Sequence, residues 1–291
     1  MILDVSHKTL YRYSAPVVQS QHVVHMSPRV LPRQLVRHHS LIVEPAPATR
    51  YEGVDSFGNT MVILDVEKPH KELVLHARST IDVTPLATFD WRTTTPWDRI
   101  GDHLLLNNND LDLDTIQYRC ASHFTPPSPE IAAYAEPSFT PGRPILDAAM
   151  DLTSRIYDDF TFDGTATDIS TPIVQVVKQR RGVCQDFAHL ALACLRTKSI
   201  PARYVSGYIL TKPAPGQIKL QGTDASHAWI SVWSPQAGWI DFDPTNGIVV
   251  SDEHVTIALG RDYNDVSPIS GILLGGGAHT VSVAVDVSPV S

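Results

Sequence analysis

The stretch "RRGVCQDFAHLALACLR", residues 180–196, decides how the rest of the chain is read. From Phe187 to Leu195 nearly every residue is apolar. A helix that is apolar on all sides belongs in the centre of a core rather than on its surface. Cys184 stands just before that run, at the start of a rigid helix. The first backbone N–H groups of a helix lack intrahelical partners and carry partial positive charge. A cysteine placed there faces a field that favours the thiolate, which is the nucleophilic form. Arg180 and Arg181 either add positive charge or end the preceding helix in solvent, and Gly182 offers a tight turn between the two helices. The bland reading of Cys184 is a small buried hydrophobe, and one cysteine alone does not choose between the two. Cys194 lies inside the apolar run and reads as packing; Cys120, in "QYRCASHF", has no partner pattern and reads as structural.

Two downstream stretches change the balance. "ASHAWISVW" puts His227 at the start of a strand, and "GWIDFDPTNG" puts Asp243 at a strand end before Pro244. A thiol nucleophile needs a base for its proton, and that base needs a third group to fix its tautomer. A cysteine on a helix start, a histidine on one strand and an aspartate on the next satisfy that requirement. If 239–243 is a strand, Asp241 and Asp243 share a face about 6–7 Å apart, so only one of them can face the imidazole. A residue before proline is held extended, which fixes where the Asp243 side chain points. The competing readings are a satisfied core histidine for His227 and an Asp-Pro turn former for Asp243.

Around these stretches the chain is ordinary. Its 291 residues are 43% hydrophobic and 19% charged, with a formal net charge of −8. That charge, with no basic block, argues against a nucleic-acid partner. The N-terminus "MILDVSHKTLYRYS" has no signal-peptide pattern, and no apolar run is long enough for a membrane span. Three cysteines make no disulfide framework, so reduced thiols in the cytoplasm are expected. There are 13 histidines but no HExxH, no paired CxxC and no EF-hand loop, so neither a metal nor another cofactor is expected.

Leu3, Val5, His7, Thr9, Tyr11 and Tyr13, and then Leu73, Leu75, Ala77, Ser79, Ile81 and Val83, alternate with their neighbours. That is the period of half-buried strands. Residues 1–85 therefore read as a β-rich N-terminal domain, and 86–142, rich in Pro, Thr and Asn, as a bridge with short helices. Residues 145–158 have helical spacing. A second helix follows, capped by Thr171, with Pro172 in its first turn and Gly182 at its end. Residues 202–211 and 227–234 read as strands and 236–247 as turn-rich, and the late strand through Val281, Val283, Val285 and Val287 could join either sheet.

Four blocks in register, "GVCQDFAHL" (182–190), "IPARYVSGYI" (200–209), "DASHAWISVW" (224–233) and "GWIDFDPTNG" (238–247), resemble the transglutaminase-like superfamily. The likeness is to its bacterial branch of transglutaminase-like and cysteine-protease-like proteins. "GRDYNDVSPISG" (260–271), and "SPR" (27–29), "DSFGN" (55–59) and "IDVTP" (81–85) in the β-rich region, extend it over nearly the whole chain.

The resemblance implies an α+β, papain-like core at 143–250, with the cysteine helix packed on an antiparallel sheet and with 251–291 as C-terminal strands completing the fold. It maps Cys184 to the nucleophile, His227 to the base and Asp243 to the orienting carboxylate, and it sets Asp241 two residues too early. The implied activity is acyl transfer on amide or peptide bonds through a thioester, with a peptide or protein as substrate. A backbone N–H of Gln185 or Cys184 is a candidate oxyanion donor; Trp229, Trp239, Tyr208 and Asp224 are candidates to line the cleft. Asp186 reads as a structural anchor and His189 as a core residue. One departure stands out: Lys198-Ser199 precedes Ile200 where the family has glycine. The rival readings are an amine acetyltransferase, which uses the same residue order, and a catalytically silent binding module.

Overall fold

Strand periodicity in the first 85 residues builds one long sheet. The computed structural model describes residues 1–106, 114–211 and 226–290. Strand β1 (Ile2–Val24) runs the length of that sheet, with Leu3, Val5, His7, Thr9 and Tyr13 buried along one face. Strands β2 (Gln34–Glu44), β3 (Thr49–Val54), β4 (Thr60–Val66) and β5 (His70–Val83) give the antiparallel order β2-β5-β1-β4-β3. The register of β1 against β5 slips between Arg12 and Val17, so its two halves meet different neighbours.

The bridge holds helix α1 (Ile100–Leu106), two short 3-10 turns before it, and α2 (Pro129–Ala135). Ser128 caps α2, its hydroxyl accepting from the Glu130 N–H, and Pro129 opens the first turn where its missing N–H costs nothing. Helix α3 (Ile145–Asp159) buries Ile145, Ala148, Ala149, Leu152 and Ile156. Helix α4 (Ile173–Gln179) ends earlier than the sequence suggests. Arg180 takes the left-handed C-cap position (φ 55°), and Gly182 lies beyond the helix in the two-residue strand β7 (Arg181–Gly182), which pairs in parallel with β6 (Thr161–Phe162). That glycine is needed for space, because a Cβ on it would sit 2.7 Å from Asp186 Oδ2.

Helix α5 (Cys184–Thr197) is buried on every side from Asp186 to Arg196, as its all-round apolar sequence requires. It packs on the second sheet. There β8 (Ala202–Ile209), β9 (Ser226–Ser234), β10 (Gly238–Asp243), the short β11 (Ile248–Val249) and β12 (His254–Gly260) run in the antiparallel order β11-β10-β9-β8-β12. The segment expected to be turn-rich thus contains the strand β10. After α5, Ser199 turns in the left-handed region (φ 55°), the position at which the family's glycine is absent.

Residues 251–291 divide between the two sheets. Strand β12 is an edge of the second sheet, and helix α6 (Tyr263–Val266) follows it. Strands β13 (Ile269–Gly275) and β14 (His279–Pro289) both pair with β1 in the first sheet. Leu3, Val5, Ile81, Val83, Val285 and Val287 of the first sheet share one buried core with α3, α5 and the second sheet.

Two side-chain amides then join the sheets along the free edge of β12. Gln34 donates to the Thr256 carbonyl (2.7 Å) and accepts from its N–H (2.8 Å). Asn59 does the same to Leu259, both at 2.8 Å. Each amide replaces a missing strand partner, so the edge strand leaves no ladder group bare at these residues.

Candidate active site

Cys184 is the first residue of α5 and is partly exposed, whereas the helix body behind it is sealed. The Asp186 carboxylate turns back to accept from the Val183 N–H (2.8 Å), and the Thr167 hydroxyl donates to it (2.6 Å). Asp186 therefore fixes the turn that presents Cys184, as the structural anchor the sequence suggests, with Thr167 and Val183 as its partners. Gln185 is partly exposed beside the cysteine in the first turn, where helix N–H groups have no intrahelical acceptor.

His227 stands at the start of β9, opposite Gly207 of β8. Its Nε2 lies 2.7 Å from Asp243 Oδ2, and the Cys184 side chain faces the same ring. Burial opposes charge on this ring, but the hydrogen bonds and charges of Asp243 and Cys184 outweigh it and raise the imidazole well above its ordinary range. Both His227 and Asp243 are buried.

Asp243 ends β10 as a hydrogen-bond hub. Its Oδ1 accepts from the backbone N–H groups of Thr245 (2.9 Å) and Asn246 (3.2 Å). Its Oδ2 accepts from His227, from the Asn246 side-chain amide (2.6 Å) and from His254 Nε2 (3.2 Å). Burial pushes the carboxyl up, but the bonds from His227, His254 and Asn246 prevail and hold it well below the usual range. Asp241, two residues earlier, accepts from the Trp229 indole N–H at 3.2 Å. The carboxylate that meets His227 is therefore the one before the proline.

His254 and Asn246 are partners that sequence reasoning missed. Asn246 lies in the quoted "DPTN", three residues past the aspartate, at the spacing of a side chain that closes an Asp turn. Nothing in "SDEHVTIAL" marks His254, because its place depends on how β12 pairs across the sheet. His227, Asp243 and His254 also form the described group whose ligand atoms lie close enough to hold a metal, within 4.8 Å of one another. Zinc–nitrogen bonds are about 2.0–2.1 Å. A 2.7 Å contact between His227 Nε2 and Asp243 Oδ2 leaves no room for an ion between them, so the set fits a hydrogen-bonded hub.

The other candidates are placed differently. Trp229 is fully buried (0%) with Val205, Val250 and Leu259, and packs 6.0 Å from the His227 ring instead of lining an open cleft. Tyr208 is buried too, its hydroxyl 2.6 Å from His7 Nδ1 of the first sheet. Both were expected at the cleft; the first sheet covers Tyr208, and neighbours of the second sheet enclose Trp229. Trp239 is partly buried, with the Arg203 guanidinium 4.2 Å over its ring. Asp224 lies outside the described residues.

His189 is a core residue: Phe124 stacks on it at 4.8 Å, the Tyr263 N–H donates to it, and burial lowers its pKa to about 3. Cys194 is fully buried and its thiol is pushed up to about 12 by that burial. Cys120, expected to be structural, is exposed, and all three cysteines are free.

This arrangement can be set beside known proteins. Residues 132–244 match the transglutaminase-like superfamily, and residues 3–82 match the bacterial transglutaminase-like N-terminal region. An uncharacterized protein of Mycobacterium tuberculosis is 40% identical over 299 residues, spanning 98% of this chain and 92% of that one. A 90-residue segment, 30% of this chain, is 36% identical to part of the protein-glutamine gamma-glutamyltransferase of Pseudomonas aeruginosa, covering 11% of that enzyme. Among solved structures, a Cytophaga hutchinsonii protein with the provisional name of cysteine protease superposes with a TM-score of 0.76 at 23% identity, over 99% of this chain and 90% of that one. No helix among the described residues is long and apolar enough to cross a membrane. The matched blocks carry the cysteine helix and the His–Asp strands in one α+β fold, and on that ground the chain belongs to the transglutaminase-like superfamily.

Proposed function

We propose that the protein is a Cys-His-Asp acyl-transfer enzyme that acts on carboxamide or peptide bonds and passes the acyl group mainly to water. The observation that carries this reading is the chain of contacts from the Cys184 side chain through the His227 ring to Asp243, beginning at a helix N-terminus. In the first half-reaction the Cys184 sulfur, its proton held by His227, attacks the carbonyl carbon. The oxyanion faces the N–H groups of the first turn of α5, with Gln185 as a candidate donor. The C–N bond then breaks as His227 returns the proton to the departing amine, leaving a thioester on Cys184. In the second half-reaction His227 takes a proton from water, which attacks the thioester and releases the acid. An amine in place of water gives transamidation by the same steps.

The substrate class follows from the chemistry: a peptide or protein bearing an accessible amide. The matched transglutaminase segment supports acyl transfer from glutamine as the second outcome. Three free thiols fit a reducing compartment, and we place the protein in the cytoplasm. Intact-mass analysis with a panel of glutamine- and peptide-based probes tests the reading. An acyl adduct on Cys184 is expected, absent in Cys184→Ala and discharged faster by water than by added amine. Failure of every probe to form an adduct, with an acetyl-CoA-dependent adduct instead, would assign the site to the acetyltransferase reading.

A further inference from the structure

Asp243 is held by more than its own turn. His254, on the edge strand β12, is 3% exposed and places Nε2 at 3.2 Å from the same Oδ2 that receives His227. Asp243 is ionised and can only accept, so the His254 nitrogen facing it carries the proton. The other nitrogen, Nδ1, then faces the Ser251 hydroxyl at 3.5 Å. The ring stands edge-on to Trp229 (5.3 Å), which blocks it from tilting away. Two residues along β12, the N–H and carbonyl of Thr256 are clamped by Gln34 of the first sheet. The clamp, the strand and the imidazole thus form a continuous path from the N-terminal sheet to the carboxylate.

We propose that His254 is a positioning residue of the active site: its Nε2–H fixes the Asp243 oxygen that orients His227, and the N-terminal sheet fixes His254 through the Gln34 clamp on β12. The reasoning is geometric. An oxygen that accepts from three side chains can be displaced toward whichever donors remain. Asn246 is a neighbour in the same turn and moves with Asp243, whereas His254 is anchored to a separate strand. His254 therefore supplies the fixed reference. The proposal rests on Cys184, His227 and Asp243 acting as assigned above.

The test compares His254→Gln with His254→Asn. The glutamine amide reaches the place of Nε2, and the asparagine amide stops near Nδ1. Both are buried polar replacements of similar folding burden, so the comparison survives a general loss of stability. Two readouts are taken on the full chain: the far-downfield NMR signal of the His227 proton shared with Asp243, and the rate of Cys184 alkylation by iodoacetamide across pH. His254→Asn is expected to weaken the signal and slow alkylation about ten- to a hundredfold, the range of one lost hydrogen bond to a charged group. His254→Gln should restore both to near wild type. Gln34→Leu should show a smaller loss of the same kind. Equal behaviour of the Gln and Asn variants, or an unchanged proton signal in both, would overturn the role of His254. A wild-type Cys184 no more reactive than Cys120 would instead overturn the nucleophile assignment, while the proton signal would still decide on His254.

Discussion

Helix α5 carries two thiols ten residues apart, and the two ends of that interval have opposite chemistry. Cys184, in the first turn, is partly open and touches His227. Cys194, in the third turn, is sealed among apolar side chains, with its thiol raised to about 12. The same residue in the same helix is an electrophile-facing group at one end and core filler at the other. The burial that disables Cys194 also holds the helix rigid, and that rigidity presents Cys184 to the strands. Reactivity here follows from position along a helix and from the partner that a distant strand brings.

The largest expected effects fall on the Cys184 end. Asp243→Asn keeps the shape of the hub but cannot hold the correct His227 tautomer. The expected loss of turnover is about 10⁴-fold, as for a triad carboxylate in general. Asp241→Asn changes the acceptor of the Trp229 indole and removes a charge that faces Arg203 and Arg33, and should cost less than about tenfold. Steady-state amidase assays on both, after matching their melting curves, check this. A silent Asp241→Asn beside an active Asp243→Asn would reverse the roles given to the two carboxylates.

The joint between the sheets comes next in size. Gln34→Ala strips the partner from the buried N–H of Thr256, whose carbonyl keeps the Arg29 N–H, and should destabilise by about 1–3 kcal/mol, the cost of one unsatisfied group. Urea unfolding gives the value. A change near zero would show that the clamp contributes nothing.

A pH effect sharpens the contrast further. The Asp243 carboxyl is depressed in the folded chain, so its contribution to stability is complete above the unfolded value of about 3.9. That contribution is lost as the pH falls from there toward the folded value. Wild type should therefore lose stability below about pH 4 more steeply than Asp243→Asn, whose side chain does not titrate. Unfolding free energies between about pH 2.5 and 6 measure it. At the sealed end, Cys194→Ser puts a hydroxyl among apolar side chains and should cost about 1–3 kcal/mol with little change in turnover.

Much of this contrast was legible in the sequence, because local patterns carry it. The apolar run 187–195 announces a buried helix, and the period of two in residues 3–13 and 73–83 gives β1 and β5 their faces. The proline after Asp243 marked it as held extended, but the choice between Asp243 and Asp241 came from the family resemblance. What the sequence could not give is long-range pairing. Alternation at Val281–Val287 reveals a strand but not that its partner is β1. His254 reaches Asp243 only through the register of β12 on β8 and of β8 on β9 and β10. Trp229 and Tyr208 lie on stretches that carry the site, yet the first sheet and the neighbouring core bury them, which no local pattern records. The turn before α5 was misread for a related reason. The left-handed residue there is Arg180, and Gly182 is kept small by the return of Asp186.

The most direct measurement is the site-resolved rate of iodoacetamide labelling of the three cysteines in the native protein near pH 6, read by peptide mass. At that pH an ordinary exposed thiol is almost wholly protonated and reacts slowly. A thiol paired with an imidazolium keeps its nucleophilic form. The expected order is Cys184 well ahead of exposed Cys120, with Cys194 unlabelled until the chain unfolds. Labelling of Cys120 at the same rate as Cys184 or faster would contradict the claim that α5 and His227 together make Cys184 a nucleophile.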